Sequence, residues 1–319
     1  MKIGFIGLGN VGGKLAGSLL RNGAQLTVCD LRRDVAAGLL AKGAKWSDSP
    51  PQLARENEMI ITCLPSPAAS AAVMEGGVIA AMSEGKLWAE MSSSDEDEVR
   101  RLGGMVMDKG AMAMDCPVSG GCHRAATGNI AIFAGCERQT FERALPVLKM
   151  MGRRILHTGA LGSASALKVL TNYLASVNLW SVCEALATAR AADINLNTAF
   201  EAMRISSGNS FVNETEGQVI LNGSRDINFT MDLVVKDLSL FAAVAERAGI
   251  SLRMLPLVQE IFAEGAKKYG AREWSPNIIR LLEEQTGKET LAPGFPPEIT
   301  DDEPEEPGYE IIPQGLEEK

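Results

Sequence analysis

Lys168 and Asn172 stand four residues apart in the apolar stretch G-S-A-S-A-L-K-V-L-T-N-Y-L. On a helix that spacing puts both side chains on one face, one turn apart. An amine with a polar partner beside it is suited to exchanging a proton with an alcohol oxygen, which is what alcohol oxidation needs once a hydride acceptor is near. Lysine is costly to bury unless paired or neutralised, so burial of Lys168 would point to chemistry. A lysine on a solvated helix face is the plainer alternative.

The start of the chain carries the signature of such an acceptor. In G-F-I-G-L-G-N-V-G-G, Gly7, Gly9 and Gly12 occupy the G-x-G-x-x-G frame between an apolar run and a helical pattern. Absent side chains there permit a tight turn, close approach of the backbone to a pyrophosphate, and close helix packing. The helix N-terminus then offers unpaired N–H groups to phosphate. Leu8, Asn10 and Val11 lie in the same turn and are candidate cofactor contacts with it. Asp30 ends the second apolar run, 18 residues beyond Gly12, where a carboxylate accepts hydrogen bonds from a ribose diol. That charge would repel the extra phosphate of NADP, so NAD is the expected cofactor. Arg32 and Arg33 stand close enough to hold such a phosphate and keep NADP open.

These residues need a scaffold that brings them together. Up to about residue 160, apolar runs at 3–6, 26–29, 59–63 and 87–89 alternate with helical patterns such as 10–22 and 67–75. That rhythm predicts a doubly wound parallel sheet, extended by runs near 111–115, 130–134 and 153–156. From Ser163 to about Ala192 there is neither proline nor glycine, which predicts a helix of about 30 residues leading out of the first domain. Everything after it reads as helix: about 196–205, 211–221, 232–248, 254–268 and 275–284. The expected division is an NAD-binding Rossmann domain at 1–162, an all-helical domain for substrate and oligomerisation at 163–286, and an acidic proline-rich tail at 287–319.

The net charge of −9 belongs to that tail, which holds ten acids against two bases and leaves the body at −1. A neutral body has no electrostatic footprint for nucleic acid. Six prolines and the acids predict an extended or disordered tail, with Tyr309, Ile311 and Ile312 able to anchor it to a surface such as a neighbouring subunit. No apolar run is long enough to predict a membrane span, and residues 1–9 read as strand and turn rather than a secretory signal. The six cysteines form no C-x-x-C pair and only two histidines are present, so free thiols in the cytoplasm are expected and a metal site is not.

Five ordered motifs over about residues 1–286 resemble the β-hydroxyacid dehydrogenase family, which includes 3-hydroxyisobutyrate dehydrogenase and tartronate semialdehyde reductase. They are the glycine fingerprint, C-L-P-S-P at 63–67, D-C-P-V-S-G-G at 115–121, K-V-L-T-N at 168–172, and Lys236-Asp237. The resemblance implies that Ser119, Gly120 and Gly121 bind the substrate carboxylate, and that Lys168 is the catalytic acid/base with Asn172 aligning it. It also implies that Leu64, Pro65, Ser93 and Lys236 border the cofactor. Thr171 departs from the usual K-x-x-N-N, and the histidine of the related decarboxylating enzymes is absent, which implies a non-decarboxylating reaction. Glu90-Met91-Ser92-Ser93 stands where Asp-x-Ser-Thr is usual.

His123 and Arg124 follow the substrate loop, and His123 is a candidate for a polar substrate tail. Pocket residues of the helical domain, Asn209, Ser210, Phe211 and Asn213, are candidates for specificity. The leading expectation is hydride transfer between NAD and a small 3-hydroxy acid, run in either direction, by a homodimer or homotetramer. Two alternatives stand beside it: a 2-hydroxyacid dehydrogenase using His123 and Arg124, and a non-catalytic NAD-binding or assembly protein.

Overall fold

A computed structural model describes residues 1–316 of the chain. It divides into two compact units, Met1–Lys168 with Asp301–Lys319, and Val169–Thr300.

The first unit is a ten-stranded sheet. Its strands are β1 (Lys2–Ile6), β2 (Gln25–Cys29), β3 (Lys45–Trp46), β4 (Met59–Thr62) and β5 (Leu87–Glu90). They continue with β6 (Met112–Asp115), β7 (Val118–Ser119), β8 (Ala131–Gly135), β9 (Arg154–Gly159) and β10 (Tyr309–Ile311). The order is β10-β9-β8-β6-β5-β4-β1-β2-β3, with β7 paired to β8. Helices α1 (Gly12–Arg21), α2 (Ala37–Leu40), α3 (Pro50–Glu56), α4 (Pro67–Val73), α5 (Glu96–Met107), α6 (Gly121–Thr127) and α7 (Arg138–Leu148) fill the connections.

Strand period explains why both faces are covered. Ile3, Phe5, Ile61, Leu87, Ala89 and Met114 enter one core cluster, which α1 reaches with Leu15 and Leu19 and α7 with Phe141. Their alternates Ile6, Ile60, Trp88 and Ala113 enter another, which α3 reaches with Leu53 and α5 with Leu102 and Val106. A strand buried on both faces reads as an unbroken apolar run, as these do. The predicted doubly wound sheet is present, with one qualification. β8 runs antiparallel to β6 and β7. The chain returns from β7 to β8 through the short α6, and a parallel partner would need a full crossover. β3 and β7, at two residues each, are too short for any alternation to announce them.

Helix α8 runs from Ser163 to Ala191, 29 residues, or roughly 43 Å at 1.5 Å per residue. The second unit continues with α9 (Leu196–Arg204), α10 (Phe211–Asn222), α11 (Met231–Arg247), α12 (Met254–Tyr269) and α13 (Arg280–Thr286). Its core gathers Leu186, Ile220, Leu238, Val258, Phe262 and Ile278. No helix among the described residues is long and apolar enough to cross a membrane.

The tail differs from the expected disorder. Residues Tyr309–Ile311 form β10, which adds in parallel to β9 with Tyr309 opposite Arg154 and Ile311 opposite Leu156. Tyr309 and Ile311 therefore anchor on the sheet of their own chain. Composition counts acids without knowing what faces them, and here arginines do: Arg138 grips both oxygens of Glu310, at 2.5 and 3.1 Å.

Candidate active site

Four motifs leave the sheet along one row. Ile6 is paired with Thr62, Thr62 with Glu90, and Glu90 with Asp115. The next residues continue the ladder, with Cys63 N donating to Ile6 O at 2.9 Å and Met91 N to Thr62 O at 2.8 Å. Cys116 N donates to Glu90 O at 2.7 Å. The glycine turn, C-L-P-S-P, the serine run and D-C-P-V-S-G-G thus start from the carboxyl ends of adjacent parallel strands. That edge is where open α/β sheets take their ligands.

The three fingerprint glycines do different work. Gly7 has φ of +98°, and a Cβ there would sit 2.3 Å from Cys63 O. A Cβ on Gly12 would meet Gly7 O at 2.2 Å. Gly9 is the opposite case, since a Cβ there meets nothing within 4 Å. Gly7 and Gly12 are required by the fold; Gly9 leaves a cradle open over the first turn of α1, which suits a pyrophosphate. Asp30 is held against this turn, with one oxygen accepting from Leu8 N at 2.7 Å and the other from Arg32 N at 2.9 Å. Two backbone donors orient the carboxylate and leave lone pairs for a diol. Arg33 lies over the Trp46 ring, 5.6 Å from its centroid, and is partly occupied there.

Leu64 N donates to Ser92 Oγ at 2.7 Å, so Ser92, beside the candidate Ser93, ties C-L-P-S-P to the next strand end. Ser92 N in turn donates to Glu90 Oε1 at 2.8 Å. Glu90 is fully buried, and burial pushes its carboxyl above the ordinary range against the pull of Ser92. Pro65 leads into Ser66, which caps α4.

The S-G-G corner is a left-handed turn, with φ of +121° at Gly120 and +85° at Gly121. His123 and Arg124 fold back onto it. The His123 ring stands 2.7 Å from where a Gly121 Cβ would be, and the Arg124 stem 3.3 Å from the equivalent point on Gly120. Burial, then the Arg124 charge, lowers the His123 pKa, with Asp301 opposing them. His123 is consequently neutral near pH 7 and offers a hydrogen bond rather than a charge. The Arg124 guanidinium, which the 2-hydroxyacid alternative needs for a carboxylate, pairs with Glu303 at 3.6 Å.

Lys168 is only 8% exposed. Its helix is set by Asp115, which is fully buried and accepts from Gly162 N at 2.8 Å and Ser165 N at 2.6 Å. These are orphan donors at the entry to α8, within two turns of Lys168. Burial raises the Asp115 pKa, and the same donors pull it back. One motif therefore both presents Ser119, Gly120 and Gly121 and clamps the lysine helix. Asp115 was visible in that motif, but nothing in a linear pattern says that its partner is a helix start 47 residues on.

In the second unit Asn172 donates to Asp237 Oδ2 at 2.5 Å, and the other oxygen of Asp237 pairs with Lys236 at 2.9 Å. Asp237 is 1% exposed and holds both candidate residues in register. Asp232, one turn before Lys236 on α11, pairs with Arg272 at 3.1 Å. The specificity candidates build the start of α10: Ser210 caps it, and Asn213 donates to Asn209 at 3.1 Å. Phe211 is exposed.

Residues 2–159 match the NAD binding domain of 6-phosphogluconate dehydrogenase, and residues 162–282 match the NAD-binding domain of NADP-dependent 3-hydroxyisobutyrate dehydrogenase. Over 291 residues the chain is 33% identical to 2-(hydroxymethyl)glutarate dehydrogenase of Eubacterium barkeri, a match taking in 90% of this chain and 96% of that one. The chain belongs to the β-hydroxyacid dehydrogenase family. Within the family it is 31% identical over 295 residues to the NAD-dependent L-serine dehydrogenase of Pseudomonas aeruginosa, covering 89% of this chain and 98% of that protein. The structure of Mycobacterium tuberculosis 3-hydroxyisobutyrate dehydrogenase with L-serine superposes with a TM-score of 0.79 at 27% identity, covering 88% of this chain and 98% of that one. This member of the family is an oxidoreductase of small hydroxy acids, acting on CH–OH groups with an NAD(P)-binding domain.

Proposed function

We propose that this enzyme oxidises the alcohol of a small 3-hydroxy acid with NAD, without decarboxylation, and can run in reverse as a semialdehyde reductase. NAD supplies the hydride acceptor; the protein's own groups bind, align and handle the proton. Gly7, Leu8, Gly9, Asn10, Val11 and Gly12 would cradle the pyrophosphate, Asp30 the ribose, and Leu64, Pro65, Ser93 and Lys236 the rest of the cofactor. The Ser119 hydroxyl and the Gly120 and Gly121 N–H groups would hold the substrate carboxylate, with His123 donating to a polar substituent. Lys168 takes the hydroxyl proton as the carbinol hydride departs, and returns it in reduction. Asn172 keeps amine and hydroxyl in line.

The observation that carries this reading is Lys168: a lysine only 8% exposed, on a helix whose start is clamped by the same motif that ends in S-G-G. NAD is favoured over NADP by Asp30, whose carboxylate the glycine turn holds in place. A screen of NAD reduction with 3-hydroxyisobutyrate, glycerate, serine, threonate and sulfonated C3 alcohols tests both parts. NADH formation is expected with at least one, and at least about tenfold lower kcat/KM with NADP, the size of one uncompensated phosphate–carboxylate repulsion. A preference for NADP would overturn the role given to Asp30.

We also propose a cytoplasmic homodimer or homotetramer. Leu167, Leu170 and Leu174 leave 37%, 40% and 50% of their surface exposed in one stripe along α8, which supports burial against another copy. Sedimentation as a monomer at micromolar concentration would reject it.

A further inference from the structure

The family match ends at residue 282, and the match to the Eubacterium barkeri relative takes in 96% of that protein but 90% of this chain. Residues 301–311 thus lie beyond the family match, and they do not simply lie on the surface. They follow one track of hydrogen bonds and ion pairs across the first unit. Asp301 accepts from the Thr127 hydroxyl, which closes α6, and from Asn129 Nδ2 at 2.8 Å. Asn129 also donates to Glu303 O at 2.9 Å. The Glu303 carboxylate stands between Arg124 and Arg153, 3.6 Å from each. Glu305 pairs with Arg21 at 3.1 Å and covers Gly128, whose φ of +79° ends α6. Glu306 pairs with Arg153. The track ends in β10, pinned by Glu310 to Arg138.

Three of these contacts converge on α6. Its first residue is Gly121, its second turn holds Arg124, and its end is Thr127 and Gly128. Seven residues have too few internal hydrogen bonds to hold a helix in place. Its middle is fixed by Ala125, buried in the core, and by Arg21, which donates to Ala126 O at 2.9 Å; the rest depends on what its two ends touch. One end is the S-G-G corner with His123 folded on it. The other is the strap.

We propose that residues 301–306 are a latch on α6, a positioning element that holds the S-G-G corner and His123 ready for the substrate and so sets substrate affinity. This rests on the reading of Ser119, Gly120 and Gly121 as the carboxylate site. The latch draws the Arg124 charge away from the corner through Glu303, leaving carboxylate recognition to the Ser119 hydroxyl and the glycine N–H groups. Each pair is partly exposed and individually weak, but several on one short segment act together, because ordering the strap for the first lowers the entropic cost of the rest.

The test is the full-length double variant Asp301→Asn with Glu303→Gln, compared with Glu310→Gln, which loosens only the far end of the strap. Amide hydrogen exchange over residues 121–129 is read without any substrate. KM for the hydroxy acid, kcat and NADH Kd are read in steady state and by fluorescence. The double variant is expected to exchange faster across α6 and to raise KM by about fivefold, as losing a few partly exposed charged hydrogen bonds would. Its kcat and NADH affinity should stay within about twofold of the parent. In the parent, but not the double variant, KM should rise with added sodium chloride.

Unchanged exchange over α6 would overturn the latch. An equal KM rise from Glu310→Gln would do the same, showing general loosening of the tail. Faster exchange with an unchanged KM would reject the link to substrate affinity and point to a fault in the carboxylate-site assignment. Failure of the parent enzyme to turn over any hydroxy acid would strike the proposed reaction alone, since the exchange measurement reads the latch by itself.

Discussion

Replacing Lys168 by alanine is expected to lower kcat for hydroxy acid oxidation by about 10²–10⁴-fold, the usual contribution of a positioned general acid or base. The side chain lies in a helix whose neighbours Val169 and Ser165 are themselves buried, so shortening it removes the amine and leaves a small void. The NADH Kd should therefore stay within about threefold, and the protein should remain folded. Lys168→Arg is not expected to rescue the rate, because a guanidinium does not release its proton near neutral pH and its planar fork does not replace a compact amine. Near-normal turnover by the alanine variant would sink the assignment and favour the His123 alternative. That alternative already lacks a free Arg124, which Glu303 holds.

The second large effect separates two glycines that a motif treats as equals. Gly7→Ala places a Cβ 2.3 Å from Cys63 O on a backbone with φ of +98°. The left-handed conformation alone costs an alanine about 1–2 kcal/mol, and the clash adds to it. The variant should melt several degrees lower and lose cofactor binding as a consequence of lost structure. Gly9→Ala meets nothing within 4 Å, so its stability should change by less than about 0.5 kcal/mol. Its NAD affinity should nevertheless fall by about tenfold or more, because the new methyl occupies the approach of the pyrophosphate. Thermal melting and an NADH fluorescence titration on the two variants give the comparison. A Gly9→Ala protein with unaltered NADH affinity would show that the open space beside Gly9 is not the phosphate cradle.

The contrast extends to the rest of the site. Features of local backbone conformation were legible in the chain: the turns at Gly7 and at Gly120 and Gly121, and the end of the second strand just before Asp30. So was the apolar helix bearing Lys168, predicted from Ser163 to about Ala192 and present from Ser163 to Ala191. Each depends on a pattern local to a strand, a turn or a helix, where sequence spacing and spatial spacing are the same thing. Ser92, Asp115 and Asp237 were inside or beside recognised motifs, yet none was assigned as a site residue. Their work is done across 28, 47 and 65 residues of chain respectively. No periodicity reports such a partner.

The tail marks the same boundary most clearly. Its acids and prolines predict an unfolded segment because composition weighs a segment against water, and this one buries little apolar surface. Folding supplied something that composition omits, a line of arginines at positions 21, 124, 138 and 153 facing those acids, and an open edge on β9. The order of elements, the chemistry of the glycine turn and the placing of the lysine on its helix follow from short-range pattern, because hydrophobic period and backbone freedom act over a few residues. Which carboxylate clamps which helix, and whether an acidic extension hangs free or closes on the sheet, depends on groups distant in sequence meeting in space, and that is set only when the chain is folded.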